Sequence, residues 1–315
     1  MEFFKQTKID FLGIKTITGV ISVVLCVLSF VSLAIKGINF DLDFTGGYSI
    51  TASYPTAVSA DNIRDKLDKS GFGHTKVITF GSAKRIKITM APKKYMQTNT
   101  VKISGQTVQD QLRKRVQSVL GKNAHIDAIN FIGPEVGKEL TQKGILAIFI
   151  AVLATMIYIA LRFDLKFAIS SAIALAHDPI IILGIFSICQ FEFDLTVLAA
   201  ILAVIGYSLN DTVVVYDRVR ENFKSMRTAS VKEVINSAIN DTLSRTVITS
   251  GLTLIVVIVL FVCGGPSIHY FSLALIIGVI VGTYSSIYVA GALAVVLGLS
   301  RESLFPPQRA IDNTP

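Results

Sequence analysis

The chain has 315 residues and a formal net charge of +8, with 51% hydrophobic and only 17% charged residues. Soluble globular chains carry roughly 25% charged residues. With a mean hydropathy of +0.60, the composition argues against an ordinary soluble protein and makes a membrane protein the expectation.

The first element is a short basic tail, 1–15, with Lys5, Lys8 and Lys15, followed by an uncharged apolar run at 16–35. A basic start before an apolar run also describes a secretory signal, and Ser32-Leu33-Ala34 resembles a cleavage site. The run exceeds the usual apolar core of about 7–15 residues, so it is expected to remain as the first membrane helix.

Residues 36–143 come next and are long enough for one small domain. Strand-like sequence begins at Tyr48, with β-branched Ile50 and Thr51. A helix is predicted over 60–69, with Ile63 and Leu67 at i, i+4, stopped by Gly71 and Gly73. Strands at 76–80 and 85–90 flank a Gly81-Ser82 turn, and a helix over 106–120 carries Val108, Leu112, Val116 and Leu120. A last strand at 125–132 completes β-α-β-β-α-β, the ferredoxin-like plan. The segment holds 17 Lys and Arg against 9 Asp and Glu. An RNA-binding module is still disfavoured, because 85–90 lacks the aromatic residues on which bases stack.

Five further apolar segments follow, at 144–161, 167–191, 195–216, 246–268 and 270–300, each near the length that crosses ~30 Å of hydrocarbon. The predicted fold is therefore a six-helix membrane bundle with one small α+β domain outside it. Basic residues fall on one side: the N-terminal tail, Arg162 and Lys166, the 217–245 loop, and Arg301 and Arg309 in the 301–315 tail. The connections at 192–194 and 267–269 hold none. The bias predicts that both termini are cytoplasmic and that 36–143 lies across the membrane from them. Cys26, Cys189 and Cys263 lie in or beside apolar spans without metal-ligand spacing, and read as packing residues.

Two carboxylates interrupt the apolar spans: Asp178 in the third and Asp211 in the fourth. Each costs about 2.5–3.5 kcal/mol to insert, so an ion path or a paired structural charge is expected. Ser208, Asp211 and Thr212 fall at i, i+3, i+4 and share a helix face, which Asn210 extends. Asp211 lies six residues before Asp217, about 9 Å inside the membrane edge. Two readings stand: a carboxylate satisfied between helices, or a titratable group whose desolvation favours proton binding. Arg245 opens the fifth span, with Thr249 one turn on. It is either a topological anchor or the partner that holds Asp211 ionised. His177-Asp178-Pro179 is a second candidate relay or a buried polar contact. Paired aspartates also suggest an intramembrane protease, but their different depths disfavour the ~3 Å separation that chemistry needs. Gly278 and Gly282 form a G-x-x-x-G packing motif.

Several motifs together resemble one family. Asp41-Leu42-Asp43-Phe44-Thr45-Gly46-Gly47 resembles the DFTGG motif of SecD/SecF protein-export subunits. Gly133-Pro134-Glu135-Val136-Gly137 is similar to their GP-x-VG. Tyr207-Ser208-Leu209-Asn210-Asp211-Thr212 through Asn222 resembles the SecF signature of the fourth span, and Leu243-Ser244-Arg245-Thr246 the start of the fifth. Length and a single modest external domain fit the SecF side. The resemblance implies a relative of the resistance-nodulation-division transporters in the bacterial inner membrane. It implies proton-driven assistance to preproteins leaving the Sec channel, not enzymatic catalysis.

In that reading Asp211 and Arg245 are proton-path residues, with Tyr207 and Asn210 in support. No cofactor is implied beyond the coupling ion, proton or alternatively sodium. Implied partners are SecD, the SecYEG channel and YajC, with YidC and SecA as further candidates, besides preprotein and lipid. Two other functions stand beside it. A small-molecule exporter half would need two large external domains, and this chain has one. In a structural scaffold of the channel, Asp211 would only pack.

Overall fold

The computed structural model describes residues 7–72, 75–90 and 105–300, with the side chains of 105–109 excluded. Gly73, the Val108 side chain, Lys5 and the 301–315 tail lie outside the described residues.

Six helices are long and apolar enough to cross a membrane, by length and composition. They are α1 (Lys15–Ile35), α5 (Pro134–Arg162), α6 (Leu165–Cys189), α7 (Leu195–Ser225), α8 (Val231–Cys263) and the last span. The last span is built from α9 (His269–Tyr284), a π-helical turn (Ser285–Ala290) and α10 (Gly291–Val296). Helices α6 and α7 sit at the centre, with Ala174, Leu175, Ile182, Phe186, Val197, Ala200, Ile201 and Val204 buried. Helices α1, α5 and α8 are peripheral and turn apolar residues such as Val23, Phe149 and Val256 outward. Outward apolar faces of this kind suit hydrocarbon rather than water.

Close packing at the centre depends on small residues. A Cβ on Gly278 would run into the Val204 side chain, and one on Gly184 would run into Ser29. The G-x-x-x-G motif is thus a seat for α7.

Between α1 and α5 lies the small domain. A one-turn helix α2 (Leu42–Thr45) leads into β1 (Gly47–Ser53), α3 (Ala60–Lys69), β2 (Thr75–Thr79), β3 (Arg85–Met90), α4 (Gly105–Leu120) and β4 (His125–Ile132). The sheet is antiparallel throughout, in the order β2-β3-β1-β4. Alternation puts Ile50, Ala52, Ile86 and Ile88 on the buried face, against Ile63 and Leu67 of α3 and Leu112 and Val116 of α4. The register between β1 and β4 shifts at Thr51/Ala52, a bulge.

Helix boundaries depart from the expectation in two places. Helix α5 begins at Pro134, ten residues before the apolar run, because proline at its first position leaves no amide hydrogen unsatisfied. The expected 217–245 loop is mostly helix: α7 runs to Ser225, and α8 starts at Val231 behind a capping box of Ser230 and Glu233. Arg245 accordingly lies inside α8 rather than at its start. Hydropathy marks only the apolar part of a helix, and these helices continue past it on polar residues.

At this end the N-terminal segment is strapped across α8. Asn240 exchanges two hydrogen bonds with the backbone of Ile9, at 2.9 and 2.8 Å. Asn236 Oδ1 accepts from Leu12 N–H at 3.1 Å, and Lys232 pairs with Asp10 at 3.2 Å.

Candidate functional site

Helix α7 links the site residues. Its N-terminus is capped from two sides. Asp194 Oδ1 accepts from Val197 N–H at 2.9 Å, and Asp43 Oδ2 accepts from Leu195 N–H at 3.1 Å. Burial pushes the Asp43 carboxyl up, against the opposing hydrogen bond from Leu195. The Asp-Phe-Thr-Gly-Gly motif therefore acts at the head of the helix that carries Asp211.

The same motif locks into the other. Gly46 (φ +70°) has backbone where only glycine is at ease, and a Cβ there would lie 2.7 Å from Pro134 Cα. A Cβ on Gly47 would meet the Met90 carbonyl at 2.5 Å, and one on Gly137 the Phe44 carbonyl at 2.6 Å. Phe40, Phe44 and Phe193 cluster beside this seat, with ring centroids 5.3–5.8 Å apart. Backbone bonds run from Asp41 N–H to Phe193 O and from Phe193 N–H to Asn39 O, both 3.0 Å. Ion pairs Lys76–Glu192 (2.8 Å) and Lys87–Asp41 (2.9 Å) fasten the sheet to the same place. Burial works against the Lys87 charge, yet Asp41 raises its pKa overall.

About 24 Å further along α7 by helical rise, Asp211 is buried at 3% exposure, and its Oδ2 has no hydrogen-bond partner. Arg245 on α8 is exposed, and no ion pair joins the two. Of the expected polar stripe, Ser208 is buried and bonded across helices, whereas Thr212 bonds back to Ser208 O at 3.1 Å. Thr249 likewise bonds to Arg245 O within its own helix, and Asn210 is exposed, away from the stripe. Tyr207 donates to Ser250 at 3.1 Å, and Ser250 shares a bond with Thr283 at 2.8 Å, joining α7, α8 and α9. On the basic side of Asp211, Arg162 holds Asp217 through both carboxylate oxygens.

Asp178 is fully buried and has three side-chain partners. Its Oδ2 accepts from Ser208 at 2.7 Å and Ser285 at 3.0 Å, and its Oδ1 lies 3.0 Å from His177 Nδ1. Sequence reasoning missed Ser285, Ser250 and Thr283. Their only signal was small hydroxyl residues recurring within apolar spans. Among the described residues no cluster of potential metal ligands occurs, and all three cysteines are free.

A family model described as protein export membrane protein SecD/SecF, C-terminal, matches residues 111–300. The protein translocase subunit SecF of Vibrio alginolyticus is 44% identical over 303 residues, covering 96% of this chain and 94% of its own. The chain belongs to the SecF family. SecF of Escherichia coli O157:H7 is 42% identical, with 90% and 86% covered. The crystal structure of SecDF, a translocon-associated membrane protein from Thermus, superposes with a TM-score of 0.80 at 33% identity over 92% of this chain. The chain spans 38% of that longer SecDF chain. A SecDF in a super-membrane-facing form matches with a TM-score of 0.68. As a SecF-family member the chain is a membrane-embedded subunit of the protein-export translocase, and its motifs are the ones that seat the sheet on α5 and α7.

Proposed function

We propose that this subunit uses the proton gradient across the bacterial inner membrane to assist preproteins leaving the Sec channel, with Asp211 as the proton carrier. The observation that carries this reading is a buried carboxylate with an unpartnered oxygen on α7. A purely packing residue would have its lone pairs satisfied, because an orphaned buried acceptor is costly. Arg245 acts on it through space, so its influence varies with any shift of α8 against α7. Because α7 is capped by Asp43 from the domain motif, a proton-dependent tilt of α7 reaches the sheet directly. Sodium is the alternative coupling ion for the same carboxylate.

The basic-residue bias supports cytoplasmic termini, with the sheet on the outer side, and its strand order supports the ferredoxin-like plan. SecD is the expected partner, since the matching solved structures are of SecDF and this chain spans only 38% of one of them. SecYEG, YajC, YidC and SecA are further expected neighbours in the export machinery. Asp211→Asn keeps shape and removes titration. It should leave membrane insertion and partner assembly intact while abolishing the proton-gradient stimulation of export, measured on inverted vesicles with and without an uncoupler. Stimulated export by the Asn variant at matched expression would overturn the carrier role, and stimulation that follows sodium rather than pH would change the ion.

A further inference from the structure

His177 and Asp178 occupy the middle of the bundle, and the reading of Asp211 leaves them without a role. Asp178 has no exposed surface, and His177 is 6% exposed. Ser208, which donates to Asp178, precedes Asp211 by three residues on α7, about 4.5 Å nearer the end that carries the sheet. His177 Nε2 is buried and has no hydrogen-bond partner. On the far side of Asp178, Ser285 opens the π-helical turn, and Gly282 brings α9 close enough that a Cβ there would lie 3.2 Å from Ser208 and 3.6 Å from Asp178 Oδ2.

We propose that His177 and Asp178 form a second proton-binding site, about one helical turn from Asp211, whose occupancy is transmitted to α7 and the π-helical turn through Ser208 and Ser285. This rests on the reading of the chain as proton-coupled.

Charge is the first argument. The groups facing the pair are Cys26 from α1, Ser208 from α7, and Tyr284 and Ser285 from the last span, with Asp211 about one turn past Ser208 along α7. No described lysine or arginine pairs with Asp178, whose one ionic neighbour is His177. With His177 neutral and Asp178 ionised, the pair leaves one uncompensated negative charge in a dry interior, an expensive state. One added proton neutralises it. That proton has two places to sit: Asp178 Oδ2, giving a neutral acid, or the unpartnered His177 Nε2, giving an imidazolium against the carboxylate.

Geometry supplies the second argument. Ionised Asp178 is a pure acceptor and takes bonds from both serines. A proton on Oδ2 must itself be donated, so one serine has to turn its hydroxyl elsewhere. Ser285 already has that alternative, since its Oγ lies 3.1 Å from Gly282 O as well as 3.0 Å from Asp178. The turn it opens carries i→i+5 hydrogen bonding, a one-turn irregularity that occurs often at functional sites. A proton on Asp178 therefore loosens the tie between α7 and the last span where Ser285 has an alternative acceptor within reach.

Proton counting tests the proposal. The full chain, purified with its partner subunit and held in lipid, is taken through a pH jump from about 9 to about 4, and proton uptake is measured with a soluble indicator dye. The reference is the Asp178→Asn, Asp211→Asn double variant. The parent should bind two more protons per chain than the reference, and each single variant one more. If Asp178→Asn binds as many as the parent, the second site is overturned while the role of Asp211 stands. If instead Asp211→Asn matches the parent and Asp178→Asn falls one short, the carrier reading of Asp211 fails and this site survives. Should Asp178→Asn fail to accumulate, Ser285→Ala in the Asp211→Asn background must shift the midpoint of the remaining uptake step. An unchanged midpoint overturns the proposal.

Discussion

Asp211 and Arg245 lie on neighbouring helices without touching, so each should be substitutable without leaving the other as a broken contact pair. Their coupling is electrostatic and should appear in rates. In a double-mutant cycle on export rate, Asp211→Asn and Arg245→Ala should deviate from additivity by about 0.5 kcal/mol or more. Additive losses would reduce Arg245 to a topological anchor. Asp43 offers a pH test outside the membrane. Its carboxyl titrates above the ordinary 3.8 because of burial. The folded state thus holds this proton more tightly than the unfolded one, and the resulting stability is complete below 3.8 and lost as pH rises through the folded value. Asn at this position stays neutral and accepts the same Leu195 N–H. The melting temperature of Asp43→Asn should match the parent near pH 3.8 and exceed it at neutral pH, and an opposite trend would contradict burial as the cause. Asp211 was legible in the sequence because a charge in an apolar run has no ordinary explanation. The prominence of Asp178 was not, because its hydroxyl partners come from α7 and the last span, 30 and 107 residues away.

At the scale of elements, the glycine seat makes a prediction with its own control. Gly47 combines positive φ with a Met90 carbonyl where its Cβ would go, whereas Gly133 has ordinary φ of −66° and open space. Gly47→Ala should destabilise the purified protein by about 1–3 kcal/mol, the scale of local backbone strain. Gly133→Ala, in the neighbouring motif, should be close to neutral in the same thermal melt. Equal effects would mean that the motifs are constrained by something other than this contact. Strands and helices of the small domain were readable from period-2 and four-residue spacing because one face of each is buried. Helix ends were not, since α5, α7 and α8 extend past the hydrocarbon on caps and amphipathic turns that hydropathy does not register.

For the whole molecule, orientation is the property to test. Cysteines placed at Lys66 or Lys114, both exposed on the small domain, should react with a membrane-impermeant thiol reagent applied to spheroplasts. One at Lys224, in the last turn of α7, should react only after permeabilisation. The reverse pattern would invert the topology. The six-span plan was legible from composition and length alone, because an apolar stretch of that size has few alternatives. The way the sheet is bolted to the 190–195 turn was not, since it depends on residues such as Lys76, Lys87 and Glu192 that look like ordinary surface charges in sequence.

The strap at the basic end concerns time as well as space. Ile9 and Leu12 bond to Asn240 and Asn236, partners 231 and 224 residues later in the chain. A ribosome adds about 5–20 residues per second, so roughly 10–45 seconds separate the emergence of the first partner from that of the second. Throughout that interval Ile9 and Leu12 are without the α8 side chains that bond them in the finished fold. Closing the strap therefore marks that the fifth helix has arrived. A chain cut short before Val231 never makes these bonds and leaves the backbone of Ile9 and Leu12 without its α8 partners.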